Sequence, residues 1–412
     1  MADLTTNFLG VKFKNPIVAA SGLTTTTPDN MKRCIEAGVG AVTAKTILFD
    51  PEGRDPVGRQ DSYVLQTYKF LHKYGYRNQM TGYCGHGFLS TERGLRYLDE
   101  IKPLAEKEGV VLIGSILQEP PVTMDIVLQE PFTENKPLVE LARRVEAAGA
   151  DMIELPTGCP FIPIDPTERR AERNRRFGHI LKSLKGKVGI PFYFKPGLHG
   201  GAHLLGLLKL IEDAGTHSAC HVMPDTVGTF IDIEIGRPVG PRPKFYGRGD
   251  TAPGAYLTAL AATASKAEII TSGGIWNWRD AVERLMCGAA LVAIETAVMY
   301  HGYKLFTEIL DGLMGFMKRK GYKTIGELKG IAAPYVDNPT IVTGWLEHKL
   351  VPKETVSITV DESKCNGCKL CLVCLQDALT MKDGIATIDS KLCIRCGICE
   401  SVCPTEAIQI LL

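Results

Sequence analysis

The sequence predicts an α/β chain: a (β/α)8 barrel over residues 1–320, a connector at 321–355 and a small α+β module at 356–412. Three observations lead there. Eight short apolar runs in the first 320 residues are each followed by a helical pattern, the count and size of a (β/α)8 barrel. The runs are continuously apolar rather than alternating, as strands covered on both faces require. No G-x-G-x-x-G follows the first run, which lowers the rival reading of an open doubly wound sheet.

The expected strands are Ile17–Ala20, Ala41–Lys45, Val111–Ile116, Met152–Leu155, Phe192–Lys195, Ala219–Met223, Glu268–Thr271 and Leu291–Ile294. The clearest helices are Pro137–Ala148, His203–Ala214, Trp278–Cys287 and Lys304–Lys320. Pro28-Asp29 and Asn277-Trp278-Arg279-Asp280 read as helix starts, and Gly38, Gly149 and Gly215 stand where C-caps belong. Leu48 to Ser90 is too long for an ordinary loop and is expected to roof a site or make a subunit contact. The connector carries three prolines and a short helix near Ile325–Lys329. The tail has twofold internal symmetry: Ser357–Val360 and Ala386–Ile388 each precede a cysteine run, and Ala378–Thr380 and Ala407–Gln409 each follow one.

Those runs hold eight of the thirteen cysteines. Cys365, Cys368, Cys371 and Cys374 form the first; Cys393, Cys396, Cys399 and Cys403, with Pro404, form the second. Three cysteines at C-x2-C-x2-C with a fourth nearby is the spacing that wraps a [4Fe–4S] cube, so two runs imply two cubes and a ferredoxin-like fold. Zinc prefers two C-x2-C pairs parted by a longer loop. In two-cluster ferredoxins the fourth cysteine of each run binds the other run's cube. On that pattern Cys365, Cys368, Cys371 and Cys403 hold one cube, and Cys393, Cys396, Cys399 and Cys374 the other. The Cys371–Cys374 gap is one residue short, so the setting of the second cube must differ locally.

A formal net charge of +1 with mixed signs gives no argument for nucleic acid or an anionic membrane as partner. No apolar stretch approaches the roughly 20 residues of a membrane span. The polar opening Met1-Ala2-Asp3, the scattered remaining cysteines and oxygen-sensitive clusters lead us to expect a cytoplasmic chain.

In a barrel the reactive residues lie at the carboxyl ends of the strands. Ser272-Gly273-Gly274 and Glu295-Thr296, read as starts of the last two helices, offer backbone N–H groups to a dianion, although a tight turn explains Ser-Gly-Gly equally well. Lys45 and Lys195 end buried strands; two converging lysines can stabilise negative charge, whereas a lone one is usually solvated. Cys159, between Gly158 and Pro160, is a candidate proton donor or acceptor against the default of a buried structural thiol. Asp225 is placed at the mouth by its position after strand six, while Arg77, Tyr83, His86, His199 and His221 are weaker candidates, each more readily structural.

Several segments in this order and spacing carry a family resemblance. They are Asn15-Pro16 with Ala20-Ser21-Gly22, Thr43–Thr46, Glu154-Leu155 with Cys159-Pro160, Lys195, Asp225–Val227, Gly247–Ala252, Ser272–Gly274 and the two cysteine runs. From Leu9 to the end the chain resembles the dihydroorotate dehydrogenase-like FMN barrels. With its tail it resembles the FMN and iron–sulfur subunit of dihydropyrimidine dehydrogenases. The resemblance implies FMN in the barrel mouth, touched by Ala20, Ser21, Lys45, Lys195, Thr226, Gly249, Gly273, Gly274, Glu295 and Thr296. It implies Cys159 as the thiol that exchanges a proton with one carbon of a C–C bond; Lys195 and Asp225, from their strand positions, join it as catalytic candidates.

The chain departs from the family where substrate amides are expected. Pro156 and Gly158 replace Asn and Ser of the strand-four motif, Phe161 follows the proline, Asp225 stands for an Asn, and Ser90 for another. A site built to hydrogen-bond a substrate discriminates strongly by those groups. The expected function is an oxidoreductase acting on a CH–CH bond of a small cyclic substrate other than a standard pyrimidine. FMN and two [4Fe–4S] clusters would pass electrons to or from a partner, either a subunit carrying FAD and NAD(P) or a ferredoxin. A true dihydropyrimidine dehydrogenase subunit and a non-catalytic electron-transfer subunit stay open as alternatives. A homodimer or hetero-oligomer is the family-based expectation.

Overall fold

The computed structural model describes residues 2–49, 79–81, 88–118, 131–156, 170–196, 201–213, 219–222, 231–232, 237–238, 245–336, 357–374 and 376–411. The chain divides into two compact units, Met1–Asp337 and Asn338–Leu412.

The first unit is a closed parallel barrel. Its eight strands are Ile17–Ala19, Ala41–Thr43, Val111–Gln118, Met152–Leu155, Phe192–Phe194, Ala219–Val222, Glu268–Ser272 and Leu291–Ile294. Each pairs in parallel with the next, and the eighth pairs with the first. The expected strands stand within two residues of these bounds. Alternation along each strand sorts the side chains. One set, including Val42, Leu112, Ile153, Phe194 and Val292, packs outward under the helices. The other, including Val18, Ala41, Ile113, Met152, Ala219, Ile270 and Leu291, fills the barrel interior.

The amino-terminal end of the barrel is plugged. Thr6–Phe8 and Val11–Phe13 form a hairpin whose two-residue turn, Leu9-Gly10, has positive φ at both positions. Phe8 and Phe13 sink into the interior cluster, and Phe8 meets the Tyr193 ring edge-on at 5.5 Å. Leu9 N–H donates to Glu268 and Thr6 Oγ1 to the Ala290 carbonyl, tying the hairpin to the starts of the last two strands. With the bottom sealed by apolar rings, polar chemistry is left to the carboxyl ends.

Several helix signals in the sequence act as read, while Gly215 lies outside the described residues. Thr27 caps Pro28–Glu36, Asn135 caps Lys136–Ala147, and Gly38 and Gly149 turn the chain at φ +93° and +94°. Residues 321–336 pack onto this unit: Ile325 and Leu328 join its core, and Gly330 and Ala332 N–H groups donate to the Leu285 and Met286 carbonyls. Part of the long excursion, Gln79–Thr81, pairs antiparallel with Phe245–Gly247.

The second unit has two antiparallel pairs, Ser357–Val360 with Ile408–Leu411 and Leu379–Lys382 with Ile385–Ile388. Asp383-Gly384 turns the latter hairpin with positive φ at both positions. Its small core mixes Leu379, Ala386 and Ile408 with cysteines.

Candidate functional site

Strand parity brings a ring of polar side chains to the barrel mouth. Ser115, Glu154, Lys195, His221, Ser272 and Glu295 each sit two residues beyond an interior apolar or aromatic residue, and Lys45 two residues beyond the buried Thr43. Glu154 is the hub. Oε1 lies 3.3 Å from Lys195 Nζ and accepts from Ser115 Oγ at 3.2 Å. Oε2 lies 3.0 Å from His221 Nδ1 and accepts from the Tyr193 hydroxyl at 3.3 Å. His221 Nε2 then meets Ser272 Oγ at 2.9 Å. On the other side Ser115 reaches Thr46 at 3.0 Å and Thr46 reaches Ser21 at 3.3 Å. One hydrogen-bonded chain thus crosses the barrel from strand seven to strand one.

Its protonation follows from these contacts. Burial pushes the Glu154 carboxyl up, but the Lys195 ammonium and the His221 hydrogen bond outweigh it and hold the group down to about 2. Burial lowers His221 against the pull of Glu154, so the imidazole is neutral at pH 7. With an ionised carboxylate at Nδ1, the proton sits there, and Nε2 accepts from Ser272. Burial, and then the Glu154 charge, raises the Tyr193 hydroxyl well above its ordinary value, so it stays a donor.

Glu295, an odd neighbour for a phosphate, turns away from the glycine loop. Its Oε1 accepts from Leu23 N–H at 3.0 Å, and a Cβ at Gly22 would fall 2.3 Å from its Cγ. Gly22 is therefore there for room. Burial raises the Glu295 carboxyl, against the Leu23 hydrogen bond and the charges of Lys45 and Lys195. Both lysines act on this one carboxyl, so the mouth brings them together.

One expectation needs correcting. The Ser272–Gly274 turn does not begin the next helix, because that helix is Trp278–Met286 and caps itself. Asn277 accepts from the Arg279 and Asp280 N–H groups, and Asp280 returns a bond to Asn277 N–H. The turn instead abuts the helix Thr251–Ala264. A Cβ at Gly274 would fall 2.2 Å from Thr251 N, and Thr251 Oγ1 donates to the Gly274 carbonyl at 2.6 Å. Gly249 lies in the preceding 3-10 turn, Arg248–Asp250. Ala20 and Ser21 end strand one, with Ala20 N–H bonded to the Ile294 carbonyl, and Thr296 Oγ1 donates to Glu295 at 3.3 Å. Cys159, Asp225 and Thr226 lie outside the described residues, as do Arg77, Tyr83, His86 and His199. Pro156, just after strand four, is buried.

In the second unit Cys365, Cys368, Cys371 and Cys403 line one small pocket. Burial, followed by the Cys368, Cys365 and Cys403 charges, raises the Cys371 thiol. Cys399 is raised by burial and by Cys393 and Cys396. The two runs share a backbone pattern: positive φ at Gly367 and Lys369 recurs at Arg395 and Gly397. In both, the third cysteine is buried and the second exposed. They differ where the first is a residue short. Leu370–Val373 is a 3-10 turn, and Ile398–Ser401 is α-helical. The tighter helix absorbs the deletion. Among the described residues no three His, Cys, Asp or Glu side chains converge to hold a single metal ion.

A family model for dihydroorotate dehydrogenase matches residues 255–317, and one for a 4Fe-4S binding domain matches 386–409. A dihydroorotate dehydrogenase B (NAD(+)) catalytic subunit from Pyrococcus abyssi is 30% identical over 339 residues, covering 80% of this chain and 99% of the relative. The chain belongs to the dihydroorotate dehydrogenase family. The corresponding subunit from Methanocaldococcus jannaschii is 27% identical over 336 residues, covering 80% and 98%. The crystal structure of the Eimeria tenella enzyme with ferulenol matches in fold, with TM-score 0.61 and 17% identity over 80% of this chain and 88% of that one. Membership makes the chain a flavin oxidoreductase acting on CH–CH groups, here with a 4Fe-4S domain. Among the described residues no helix is long and apolar enough to cross a membrane.

His221 was read from sequence only as a weaker candidate, and Glu154, Ser115, Thr46 and Tyr193 were given no role of their own. The available signal was parity: each of Glu154 and His221 sits two places beyond an inward Met152 or Ala219.

Proposed function

We propose that this chain holds FMN in its barrel mouth and two [4Fe–4S] clusters in its second unit. It transfers hydrogen across a C–C bond of a small cyclic substrate other than uracil, thymine or dihydroorotate. The observation that carries the reading is the charge arrangement at the mouth. Lys45 and Lys195 face an ionised Glu154 and a Glu295 pushed toward its neutral form. Two ammonium groups stand beside a carboxylate whose charge burial disfavours, which suits a ring that gains negative charge on reduction.

When bound, the flavin supplies hydride transfer. Ala20, Ser21, Lys45, Lys195, Thr226, Gly249, Gly273, Gly274, Glu295 and Thr296 are the residues assigned to hold it. Lys195, steadied by Glu154, stands by as the charge beside the ring. Cys159 holds or takes the proton at the substrate carbon, with Asp225 orienting the substrate. Cys365, Cys368, Cys371 and Cys403 hold one cube; Cys393, Cys396, Cys399 and Cys374 hold the other. The lined pocket supports the first set. Electrons pass to or from a partner subunit carrying FAD and NAD(P), or a ferredoxin. The relatives' names, which specify a catalytic subunit and NAD(+), favour the subunit.

A second reading, that dihydroorotate itself is the substrate, is favoured by matches over nearly the whole length of those relatives. Turnover of dihydroorotate, uracil and thymine with an artificial electron acceptor decides. The proposal expects no saturable activity on any of the three, and brisk turnover of one overturns it.

A further inference from the structure

We infer that Arg284 is a positioning residue for the phosphate end of the flavin: it aims backbone N–H groups of two loops at the anion and supplies a buried positive charge behind them. This rests on the cofactor reading above.

Arg284 lies on the helix Trp278–Met286 and has 0% exposure. Its Nη2 donates to the Gly273 carbonyl at 2.7 Å, the Thr251 carbonyl at 3.0 Å and the Asp250 carbonyl at 3.3 Å. These carbonyls belong to two segments, the turn after strand seven and the start of the helix Thr251–Ala264. In a planar trans peptide the N–H points opposite to the C=O. The N–H groups of Gly274, Ala252 and Thr251 are therefore all turned away from the guanidinium. Thr251 and Ala252 lie in the first turn of a helix, where N–H groups have no intrahelical acceptor. The Asp250 side chain makes no cap there. One side chain thus orders amides from both loops, and all of them point away from it.

Two glycines and an ion pair hold the device together. A Cβ at Gly254 would fall 2.1 Å from Arg284 Nη1, so glycine makes the room for the guanidinium. The Gly274 backbone touches Thr251 N, where a side chain would part the loops. Arg248 Nη1 donates to Asp280 Oδ2 at 3.1 Å, and the same oxygen accepts from Trp276 N–H at 2.8 Å, a second tie across the same gap.

The charge itself points to an anion. Among the described residues Arg284 Nε and Nη1 are buried and have no hydrogen-bond partner. Burial lowers the guanidinium to about 10, which leaves it charged at pH 7. Glu283, Asp280 and Asp250 act on it from a distance, but among the described residues none forms a salt bridge with it, and a buried cation without such a bridge is costly. A phosphate dianion on the far side of the peptide planes offsets that cost, and barrels commonly bind phosphate after strands seven and eight.

The test is titration of the deflavinated full chain with FMN and with riboflavin, which has the same ring and no phosphate. Arg284→Met keeps the volume and removes the donors. It is expected to weaken FMN about 10- to 100-fold, the scale of a lost charged hydrogen bond, and to leave riboflavin within about threefold. Arg284→Lys keeps the charge but not the fork and is expected to fall between. Gly254→Ala, which displaces the guanidinium, should show the same FMN-selective loss if Arg284→Met does not fold. Equal loss of both ligands, an unchanged FMN affinity, or failure of all three variants to fold overturns the role. Wild-type chain that binds neither ligand overturns the cofactor reading instead.

Discussion

His221 Nδ1 lies 3.0 Å from Glu154 Oε2, and both side chains are sealed inside the barrel beneath its mouth. The pair places a neutral imidazole and a fixed carboxylate directly under Lys195. Its consequences differ for the two partners, because one is depressed as an acid and the other as a base.

Glu154 is held ionised by Lys195 and His221. Its folded value, about 2, lies below its ordinary one. The stabilisation is therefore complete above the unfolded value and is lost as pH falls through about 2. Glu154→Gln removes the acid from a half-buried ammonium and the partner of His221, and is expected to cost about 1–3 kcal/mol at pH 7. Thermal unfolding of both proteins from pH 7 downward should show the gap narrowing below about pH 4.

His221 gives the complementary signature. Its folded value is lowered by burial, so its contribution is complete above the unfolded value and fades as pH falls below about 6.5. His221→Asn is expected to flatten the stability profile between roughly pH 7 and 5 relative to the wild type. Parallel profiles in that window would show that the imidazole does not titrate on unfolding.

The cysteine pocket predicts that distant residues share one cluster. Cys365→Ser and Cys403→Ser should each remove the same paramagnetic signal after reduction, and each should lower iron by about half. Cys374→Ser should remove the other signal. Low-temperature electron paramagnetic resonance on the three variants checks the pairing, which fails if Cys403→Ser removes the signal that Cys374→Ser removes.

A proton-transferring Cys159 predicts a rate effect without a folding effect. Cys159→Ser is expected to lower turnover about a hundredfold while leaving flavin content unchanged. A packing thiol would instead lower thermal stability and spare the rate.

The barrel was legible because each strand is a continuous apolar run, as burial on both faces demands, and Met152–Leu155 and Leu291–Ile294 match to the residue. The cysteine runs were legible because cluster ligation is written in spacing. The polar hub was not. Glu154 and His221 lie in apolar runs, and their meeting depends on which face of each strand turns inward once the barrel closes. Arg284 was hidden for a similar reason. On a helix it reads as a solvated charge, and its burial rests on the absence of a side chain at Gly254, thirty residues earlier. The helix start at Asn277 was legible from its capping box with Asp280, but Ser272–Gly274, also a start signal, was wrongly joined to it and stands a few residues before it.

The central claim is that one chain joins a flavin barrel to two cubes. Flavin and iron content of the anaerobically purified chain tests it most directly. The account predicts about one FMN and about eight irons per chain. A chain with full iron and no flavin, or with flavin and about four irons or fewer, would contradict it.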